Sequence, residues 1–258
     1  MSPTVYLLTG ANRGIGLGLA KQIAARPDAI VFAGARDPDR ATDLHALAAA
    51  HPGRVHVLKL VSADQASNAA TAEEIKRVAG HLDVVIANAG ISDCFKPALE
   101  VPPEEVVRHV EVNTNGPLVL FQATYARLRA SAEPKFIVIS SAVGSITVGA
   151  NFPFNIYAYG ASKAAVNWVA RKLHHDFPDF IIFPISPGGV DTDLAHDSLA
   201  HDPTMKGLQT GHSMITVSES AITVDESARG VLEQTDVATR ETHGGNFVDY
   251  TGLGKWAW

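Results

Sequence analysis

Two side chains in the segment YGASK, Tyr159 and Lys163, have the types and the spacing for proton transfer. Residues four apart lie on one face of a helix, so an ammonium group would stand beside a phenol. A neighbouring positive charge favours the phenolate and lowers the pKa of tyrosine from about 10 toward neutrality. The pair therefore predicts a tyrosine that exchanges a proton with a substrate oxygen. An exposed tyrosine beside a solvated lysine is the alternative.

Two more polar residues could complete such a site. Ser141 ends the apolar run KFIVISS, where a hydroxyl could orient a substrate carbonyl, and strand alternation allows only one of Ser140 and Ser141 to face the site. Asn113 lies four residues before Pro117, whose missing N–H would free the backbone carbonyl of Asn113 to hold a water. The alternatives are a strand-end cap for the serine and a simple helix break at the proline.

A glycine-rich stretch near the start of the chain, TGANRGIG, has Gly10, Gly14 and Gly16 where a helix-like pattern begins. Glycine disfavours helix formation, but it lets an anion approach the unpaired N–H groups of a helix N-terminus. The stretch therefore predicts phosphate binding, with an ordinary strand–turn–helix corner as the alternative.

The elements that must position these residues alternate along the chain. Apolar runs such as TVYLLT, AIVFAGA and FIIFPIS are typical of strands buried on both faces, and helix-like segments separate them. A long helical region is predicted over about residues 103–130, and GGNFVDY, residues 244–250, is predicted as the last strand. This predicts an α/β fold in one domain over residues 1–258: a doubly wound parallel sheet of the Rossmann type, within three α/β/α layers. Ligands bind beyond the carboxyl ends of such strands. Those ends carry residues 10–16, Arg36, 88–90, 140–141 and 187–192.

Composition excludes several classes of function. The 258 residues are 46% hydrophobic and carry a formal net charge of −6, so we expect no nucleic-acid partner, which would need a basic face. We find no signal-peptide pattern and no apolar run long enough to cross a membrane, and we expect a cytoplasmic protein with no membrane partner. His174, His175 and Asp176 are consecutive and point in different directions on a helix, so we expect no metal site.

Residues 191–222 have mixed polarity and predict a lid over the ligand, or else a mobile loop.

Six motifs, in order, resemble the short-chain dehydrogenase/reductase family. TGANRGIG resembles its TGxxxGxG loop, NAG at 88–90 its turn after the fourth strand, and PGGVDT its PGxVxT segment. The family's catalytic tetrad is matched by Asn113, Ser141, Tyr159 and Lys163. The glycine spacing is that of the single-domain branch. NRGIGLGL and the ending FVDYTGLGKWAW are most similar to Sniffer-like carbonyl reductases and to fungal norsolorinic-acid-type ketoreductases.

The resemblance implies reduction of a ketone or aldehyde with hydride from NADPH. It implies that Tyr159 is the general acid and that Lys163 lowers its pKa and binds the nicotinamide ribose. It further implies that Ser141 holds the carbonyl and that Asn113 holds a water in a proton relay to the lysine. The residues that it implies in cofactor binding are Gly10, Asn12, Arg13, Gly14, Ile15, Gly16, Arg36, Asn88, Ala89, Gly90, Tyr159, Lys163, Pro187, Gly188, Val190 and Thr192.

Cofactor choice depends on the end of the second strand, where NAD enzymes of this fold usually have an acid. The resemblance places that position at Ala35, followed by Arg36, while Arg13 lies in the glycine loop. Two guanidinium groups suit a 2′-phosphate, which predicts NADPH. Asp37 would oppose that phosphate if it pointed inward, and we interpret it as a turn or helix-capping residue. The family's usual adenine-contacting acid is replaced by Val61, which leaves that contact open.

The substrate is the least specified part of the prediction. The segment GSITVGANFPFNI between Ser141 and Tyr159 carries aromatic residues and is long for the family. Phe95, Phe152, Phe154 and Tyr157 favour an apolar or aromatic carbonyl. An NAD-dependent alcohol dehydrogenase and a non-catalytic dinucleotide-binding regulator are the alternative functions. We expect a homodimer or homotetramer.

Overall fold

The computed structural model describes residues 3–202 and 221–258. Within them, seven strands form one sheet in the order β3-β2-β1-β4-β5-β6-β7, and every neighbouring pair is parallel. The strands are β1 (Thr4–Thr9), β2 (Ala29–Ala35), β3 (Val55–Lys59), β4 (Val84–Ala87), β5 (Lys135–Ile139), β6 (Ile181–Ser186) and β7 (Val248–Asp249). The order reverses between β1 and β4, as in a doubly wound sheet.

Helices cover both faces of this sheet. They are α1 (Gly14–Ala24), α2 (Thr42–Ala50), α3 (Gln65–Val78), α4 (Pro103–Val110), α5 (Gly116–Leu128), α6 (Tyr157–Asp176), α7 (Asp193–His201) and α8 (Val224–Val237). A π-helical turn, Glu111–Asn115, joins α4 to α5, and short 3-10 turns lie at Pro38–Arg40, Ala142–Gly144 and Gly149–Asn151.

The hydrophobic core lies in two layers because strand residues alternate between the two faces. In β1, Tyr6 and Leu8 pack with one cluster, which also contains Leu19 of α1 and Val231 of α8. Leu7 packs with the other cluster, together with apolar residues of α3, α5 and α6. The predicted three-layer α/β/α fold is therefore confirmed.

Two elements differ from their sequence-based predictions, and a third is described only in part. The last strand was expected over residues 244–250 but has only two residues, Val248 and Asp249. The helical region expected over residues 103–130 is interrupted by the π-helical turn. The predicted lid, 191–222, is described only in part, because residues 203–220 lie outside the described residues. None of the helices in the described ranges is both long and apolar enough to cross a bilayer.

Candidate active site

The glycine loop after β1 forms a backbone cradle at the start of α1. Gly10 and Gly14 have positive φ angles of 63° and 51°, a region that favours glycine. A Cβ on Gly16 would lie 2.1 Å from the carbonyl oxygen of Gly10, so no side chain fits there. Arg13, at the N-cap of α1, makes no side-chain hydrogen bond to the helix, so it does not cover the first-turn N–H groups. This arrangement fits the pyrophosphate of a dinucleotide.

The NAG turn after β4 is cross-linked to the glycine loop. The backbone N–H groups of Asn88 and Ala89 both donate to Oγ1 of Thr9 at 2.9 Å. The Asn88 amide Nδ2 donates to the carbonyl oxygens of Thr9 at 2.9 Å and Gly10 at 3.1 Å. The side chain of Asn88 therefore has a structural role, in which it fixes the two loops relative to each other.

The segment PGGVDT after β6 completes the same rim. A Cβ on Gly14 would lie 3.4 Å from Cγ2 of Thr192, so this segment meets the glycine loop. Gly188 has a φ of 87°, and its Cα faces the ring of Tyr250 so closely that a Cβ would lie 2.8 Å from Cε1. The carbonyl oxygen of Pro187 accepts a hydrogen bond from Ser227 at 2.7 Å, and Val190 pairs with Ile222.

Tyr159 and Lys163 lie in the first two turns of α6, as their spacing predicts. The Lys163 side chain is buried, and its Nζ donates to the carbonyl oxygen of Ile139 at 2.8 Å, which fixes it at the end of β5. The same nitrogen lies 5.6 Å from the centre of the Tyr159 ring. A Cβ on Gly90 would lie 3.7 Å from Nζ and 3.1 Å from Oδ1 of Asn113, so the NAG turn touches the tetrad.

The pKa values of this pair differ from the sequence-based expectation. Burial raises the pKa of Tyr159 to about 12, and its hydrogen bond with Ser141 offsets only part of that effect. Burial also lowers the pKa of Lys163 to about 8. The expectation that the lysine would bring the phenol toward neutrality is wrong for the protein alone, because desolvation of the phenolate dominates and only the contact with Ser141 lowers the pKa. The phenol is held in its protonated form, which suits a proton donor.

The two serines at the end of β5 face opposite ways. Ser140 is buried, and its hydroxyl donates to Oδ1 of Asn167 at 2.6 Å. Ser141 is partly exposed and forms a hydrogen bond with Tyr159. Of the two candidates, Ser141 is therefore the one beside the tyrosine.

The side chain of Asn113 ties three parts of the site together. Its Oδ1 accepts from the backbone N–H of Ile91 at 2.8 Å, and its Nδ2 donates to the carbonyl of Ile91 at 2.9 Å. Nδ2 also donates to Oγ of Ser162 at 3.0 Å, and that hydroxyl donates to the carbonyl of Tyr159 at 2.7 Å. Sequence reasoning missed Ile91 and Ser162, because nothing in their residue types indicates these contacts.

Pro117 lies at the start of α5, just after the π-helical turn. In the π-helical turn, the N–H of Gly116 donates to the carbonyl of Glu111, five residues earlier rather than four. In that register the missing N–H of Pro117 falls opposite Val112, whose carbonyl instead accepts from Oγ of Ser62 at 2.7 Å. The predicted offset from Pro117 to Asn113 assumed a continuous α-helix, which the π-helical turn interrupts, and a carbonyl of Asn113 freed by Pro117 stays a prediction.

The residues predicted to select the cofactor are exposed. Arg36 and Asp37 follow β2 at the surface, and Asp37 stands at the N-cap of a 3-10 turn without making a side-chain capping bond. Asp37 therefore occupies a capping position, as predicted, but its side chain makes no capping hydrogen bond. Arg13 pairs with Asp193 at 3.5 Å, and the two side chains are 67% and 70% exposed.

The loop after β3 has no acid free for the adenine contact. Val61 occupies the expected position and is partly exposed. Asp64 caps α3, and its Oδ1 accepts from the N–H of Ser67 at 2.6 Å. Oγ of Ser67 in turn accepts from the N–H of Val61 at 3.0 Å. The Asp64 carboxylate is thus committed to the helix N-terminus.

The aromatic residues predicted to shape the pocket differ in their packing. Phe152 and Phe154 stack, with ring centres 5.9 Å apart, in the segment between Ser141 and Tyr159. Tyr157 is exposed, whereas Phe95 and its neighbour Cys94 are buried. The stacked pair and Tyr157 are therefore the aromatic groups that remain open to a ligand.

The C-terminal tail packs on the same segment. The Ser145 hydroxyl donates to the carbonyl of Ala257 at 2.6 Å, and Oγ1 of Thr147 donates to a carbonyl oxygen of Trp258 at 2.8 Å. Nε1 of Trp256 donates to Oδ2 of the fully buried Asp249 at 2.7 Å, which anchors the tail to β7. The tail thus supports the loop that follows Ser141.

One cluster in the described ranges has the residue types of a metal site: Asp93, Glu105 and His109. The guanidinium of Arg108 donates to both carboxylates, so a positive charge already lies between them. The backbone N–H of Asp93 also donates to Nε2 of the buried His109 at 3.4 Å. The cluster is therefore an ion-pair network that fixes the loop after the NAG turn to α4.

Comparisons with known proteins agree with this geometry. A family profile described as short chain dehydrogenase matches residues 4–203. The norsolorinic acid ketoreductase of Aspergillus parasiticus is 35% identical over 260 residues, covering 99% of this chain and 91% of that protein. The NADPH-bound carbonyl reductase from chicken fatty liver superimposes with a TM-score of 0.84 at 29% identity, covering 99% of this chain and 100% of that one. The carbonyl reductase Sniffer of D. melanogaster has a TM-score of 0.82 at 24% identity with full coverage of both chains, a likeness that shows the fold.

Proposed function

This chain belongs to the short-chain dehydrogenase family, and we propose on that premise that it is an NADPH-dependent carbonyl reductase with Tyr159 as its general acid. The family predicted from the sequence motifs is thereby confirmed. The observation that carries the proposal is the placement of Tyr159 between the hydroxyl of Ser141 and the buried ammonium of Lys163.

Proton transfer follows from the protonation states. Because burial holds the pKa of Tyr159 at about 12, the phenol keeps its proton at neutral pH and can give it to a substrate oxygen that gains negative charge. The Ser141 hydroxyl, hydrogen-bonded to the phenol, can donate to the same oxygen and orient it. The Lys163 ammonium, 5.6 Å from the ring, stabilises the phenolate that remains.

The cofactor-binding residues are proposed from the cradle described above. The glycine loop, with Asn12, Arg13 and Ile15, would hold the pyrophosphate at the N-terminus of α1, and the NAG turn and the PGGVDT segment would border it. When bound, the reduced nicotinamide supplies the hydride. Lys163 would donate to the nicotinamide ribose, and Arg36 with Arg13 would hold the 2′-phosphate. The structural similarity to the NADPH-bound carbonyl reductase from chicken fatty liver supports this choice.

An apolar or aromatic ketone or aldehyde is the proposed substrate class. Its support is the stacked pair Phe152 and Phe154 and the exposed Tyr157, together with the similarity to the norsolorinic acid ketoreductase of A. parasiticus. A lid over residues 191–222, the homodimer or homotetramer and the cytoplasmic location stay predictions.

The alternatives make different demands on the site. An NAD-dependent alcohol dehydrogenase needs an acid for the ribose 2′-hydroxyl at the end of β2, where this chain has Ala35. A non-catalytic regulator needs no tyrosine held protonated beside a serine and a lysine. Both observations favour the reductase.

The test is NADPH oxidation, followed by absorbance, over a panel of aromatic, aliphatic and polyketide-type carbonyls, with NADH run in parallel. We expect turnover with at least one apolar carbonyl and a preference for NADPH. Binding of NADPH without turnover of any panel member would favour the regulator, and a preference for NAD with alcohols would favour the dehydrogenase.

A further inference from the structure

The loop after β3 reaches the π-helical turn with the hydroxyl of Ser62, which donates to the carbonyl of Val112. We infer that Ser62 is a positioning residue for the active site, which acts on Asn113 by holding the π-helical turn in register. The inference rests on the proposed function, since it assigns a task to a residue that touches neither the tyrosine nor the lysine.

The hydrogen bonding of the turn shows why a donor is needed. Gly116 gives its N–H to the carbonyl of Glu111, five residues earlier. Pro117 has no N–H, so in the same register the carbonyl of Val112 has no backbone donor. The Ser62 hydroxyl supplies one from another loop at 2.7 Å. An unpaired buried carbonyl is costly, so this bond favours the π register.

The loss of that donor would favour the α-helical register. There, Gly116 would donate to Val112, four residues earlier, and the helix would wind more tightly through residues 111–115. Asn113 lies in the middle of that stretch. Its amide would turn away from Ile91 and from Ser162, to which it is bonded at 2.8–3.0 Å.

Two backbone features indicate that the contact is built into the chain. A Cβ on Gly116 would lie 1.9 Å from Oγ of Ser62, so only glycine lets the hydroxyl reach the turn. Ala63, the next residue after Ser62, has a φ of 62° and is the sole non-glycine residue with positive φ in the described part of the chain. Strain of this kind persists where the surrounding structure enforces it, and it is often found at functional sites.

The experiment compares Ser62→Ala with Ser67→Ala. Ser62 lies in the β3–α3 connection and Ser67 in the first turn of α3. The Ser62 hydroxyl bonds to the π-helical turn, whereas the Ser67 hydroxyl bonds to backbone atoms of the connection itself. We expect Ser62→Ala to lower kcat roughly 10- to 100-fold, as for misplacement of a catalytic group, with the KM for NADPH changed less than about twofold. We expect Ser67→Ala to leave kcat near that of the wild type.

A second variant supplies the missing donor by another route. In Ser62→Ala/Pro117→Ala, residue 117 has an N–H five residues after Val112, so it can pair with that carbonyl in the π register. We expect the double variant to regain most of the kcat lost in Ser62→Ala. A general loosening of the loop would not be repaired in this way.

Hydrogen exchange of the amides of residues 111–117 separates this inference from the proposed function. We expect faster exchange in Ser62→Ala than in the wild type or Ser67→Ala. If the wild type reduces no carbonyl, the proposed function is wrong. The exchange rates alone then test whether Ser62 holds the π-helical turn in register. Equal exchange in Ser62→Ala and wild type, equal kcat in the two, or an equal loss of kcat in Ser67→Ala would overturn the inference.

Discussion

The two ends of the candidate site hold their side chains differently. The proposed catalytic end contains Asn113 and Lys163, and the end proposed for the 2′-phosphate contains Arg13 and Arg36. The first two are 1% and 4% exposed, and each makes hydrogen bonds to backbone atoms of a neighbouring element. Arg13 has one ion pair, with Asp193, in which the two side chains are 67% and 70% exposed. Arg36 is exposed as well.

This difference separates what the fold determines from what single side chains determine. An exposed ion pair contributes about 0–1 kcal/mol, so Arg13 can exchange Asp193 for a phosphate at little cost. Asn113 and Lys163 have no such freedom, because burial leaves them one arrangement of partners. We therefore expect the chemistry to be sensitive to any change at the catalytic end, and the cofactor preference to be changeable residue by residue.

The strongest way to break the catalytic end is Tyr159→Phe. Loss of the general acid should lower kcat about 10²- to 10⁴-fold, while the dissociation constant for NADPH stays close to normal. Steady-state rates and cofactor fluorescence titration measure the two quantities. Tyr157→Phe removes an exposed hydroxyl two residues away and keeps the aromatic ring proposed for the substrate, so it is the matched control and should keep its activity. Turnover by Tyr159→Phe at the wild-type rate would contradict the mechanism.

The opposite end of the comparison is tested by Arg36→Ala. Removal of one charged hydrogen bond should cost about 1.5–3 kcal/mol, or roughly 10- to 100-fold in NADPH affinity, with little change for NADH. Titration with both cofactors gives the result. Arg40→Ala removes another exposed arginine of the same connection and should change neither affinity. An equal loss for NADPH and NADH would show that Arg36 does not bind the 2′-phosphate.

A pH titration sharpens the comparison, because the buried ammonium of Lys163 changes charge near neutrality. Burial lowers the pKa of Lys163 to about 8, so its ammonium is lost as the pH rises through that value. Since we assign the ammonium to the ribose, NADPH affinity should fall by up to about tenfold between pH 7 and pH 9. Fluorescence titration across this range measures the change. Lys163→Arg keeps its charge and should lack the step; a step of the same size in that variant would assign it to another group.

The smallest effect is expected at Ala63, beside the residue that supports the catalytic end. Its φ of 62° is unfavourable for alanine, and glycine relieves that strain but costs more entropy on folding. We expect Ala63→Gly to stabilise the fold by up to about 1 kcal/mol, with kcat unchanged. Urea denaturation measures the stability. Clear destabilisation would mean that the methyl group contributes packing that outweighs the strain.

The sequence predicted most of the fold because its strands are continuous apolar runs. AIVFAGA, for example, coincides with β2, Ala29–Ala35. β7 was overestimated because GGNFVDY includes Phe247, which is buried outside the strand. Burial of this kind is set by tertiary packing, which a local pattern does not contain.

The sequence predicted the residues of the candidate site, but it did not predict the pKa of Tyr159 or the helical register beside Asn113. Tyr159, Lys163 and Ser141 come together because helix and strand periodicity fixes their directions. The raised pKa of Tyr159 was missed because desolvation depends on surrounding atoms that are distant in sequence. The register at Pro117 was missed because a π-helical turn is rare and has no local signature, whereas its partner, Ser62, lies 50 residues away.

The tail that packs on the loop after Ser141 has a consequence for how the molecule is assembled. Ser145 is synthesised 112 residues before Ala257, the residue whose carbonyl it binds, so this contact joins two distant parts of the chain. Contacts between such distant residues carry a large loop-closure entropy and tend to form late in folding. We therefore expect a nascent chain to have α6, with Tyr159 and Lys163, docked on the sheet before the wall of the substrate pocket is ordered.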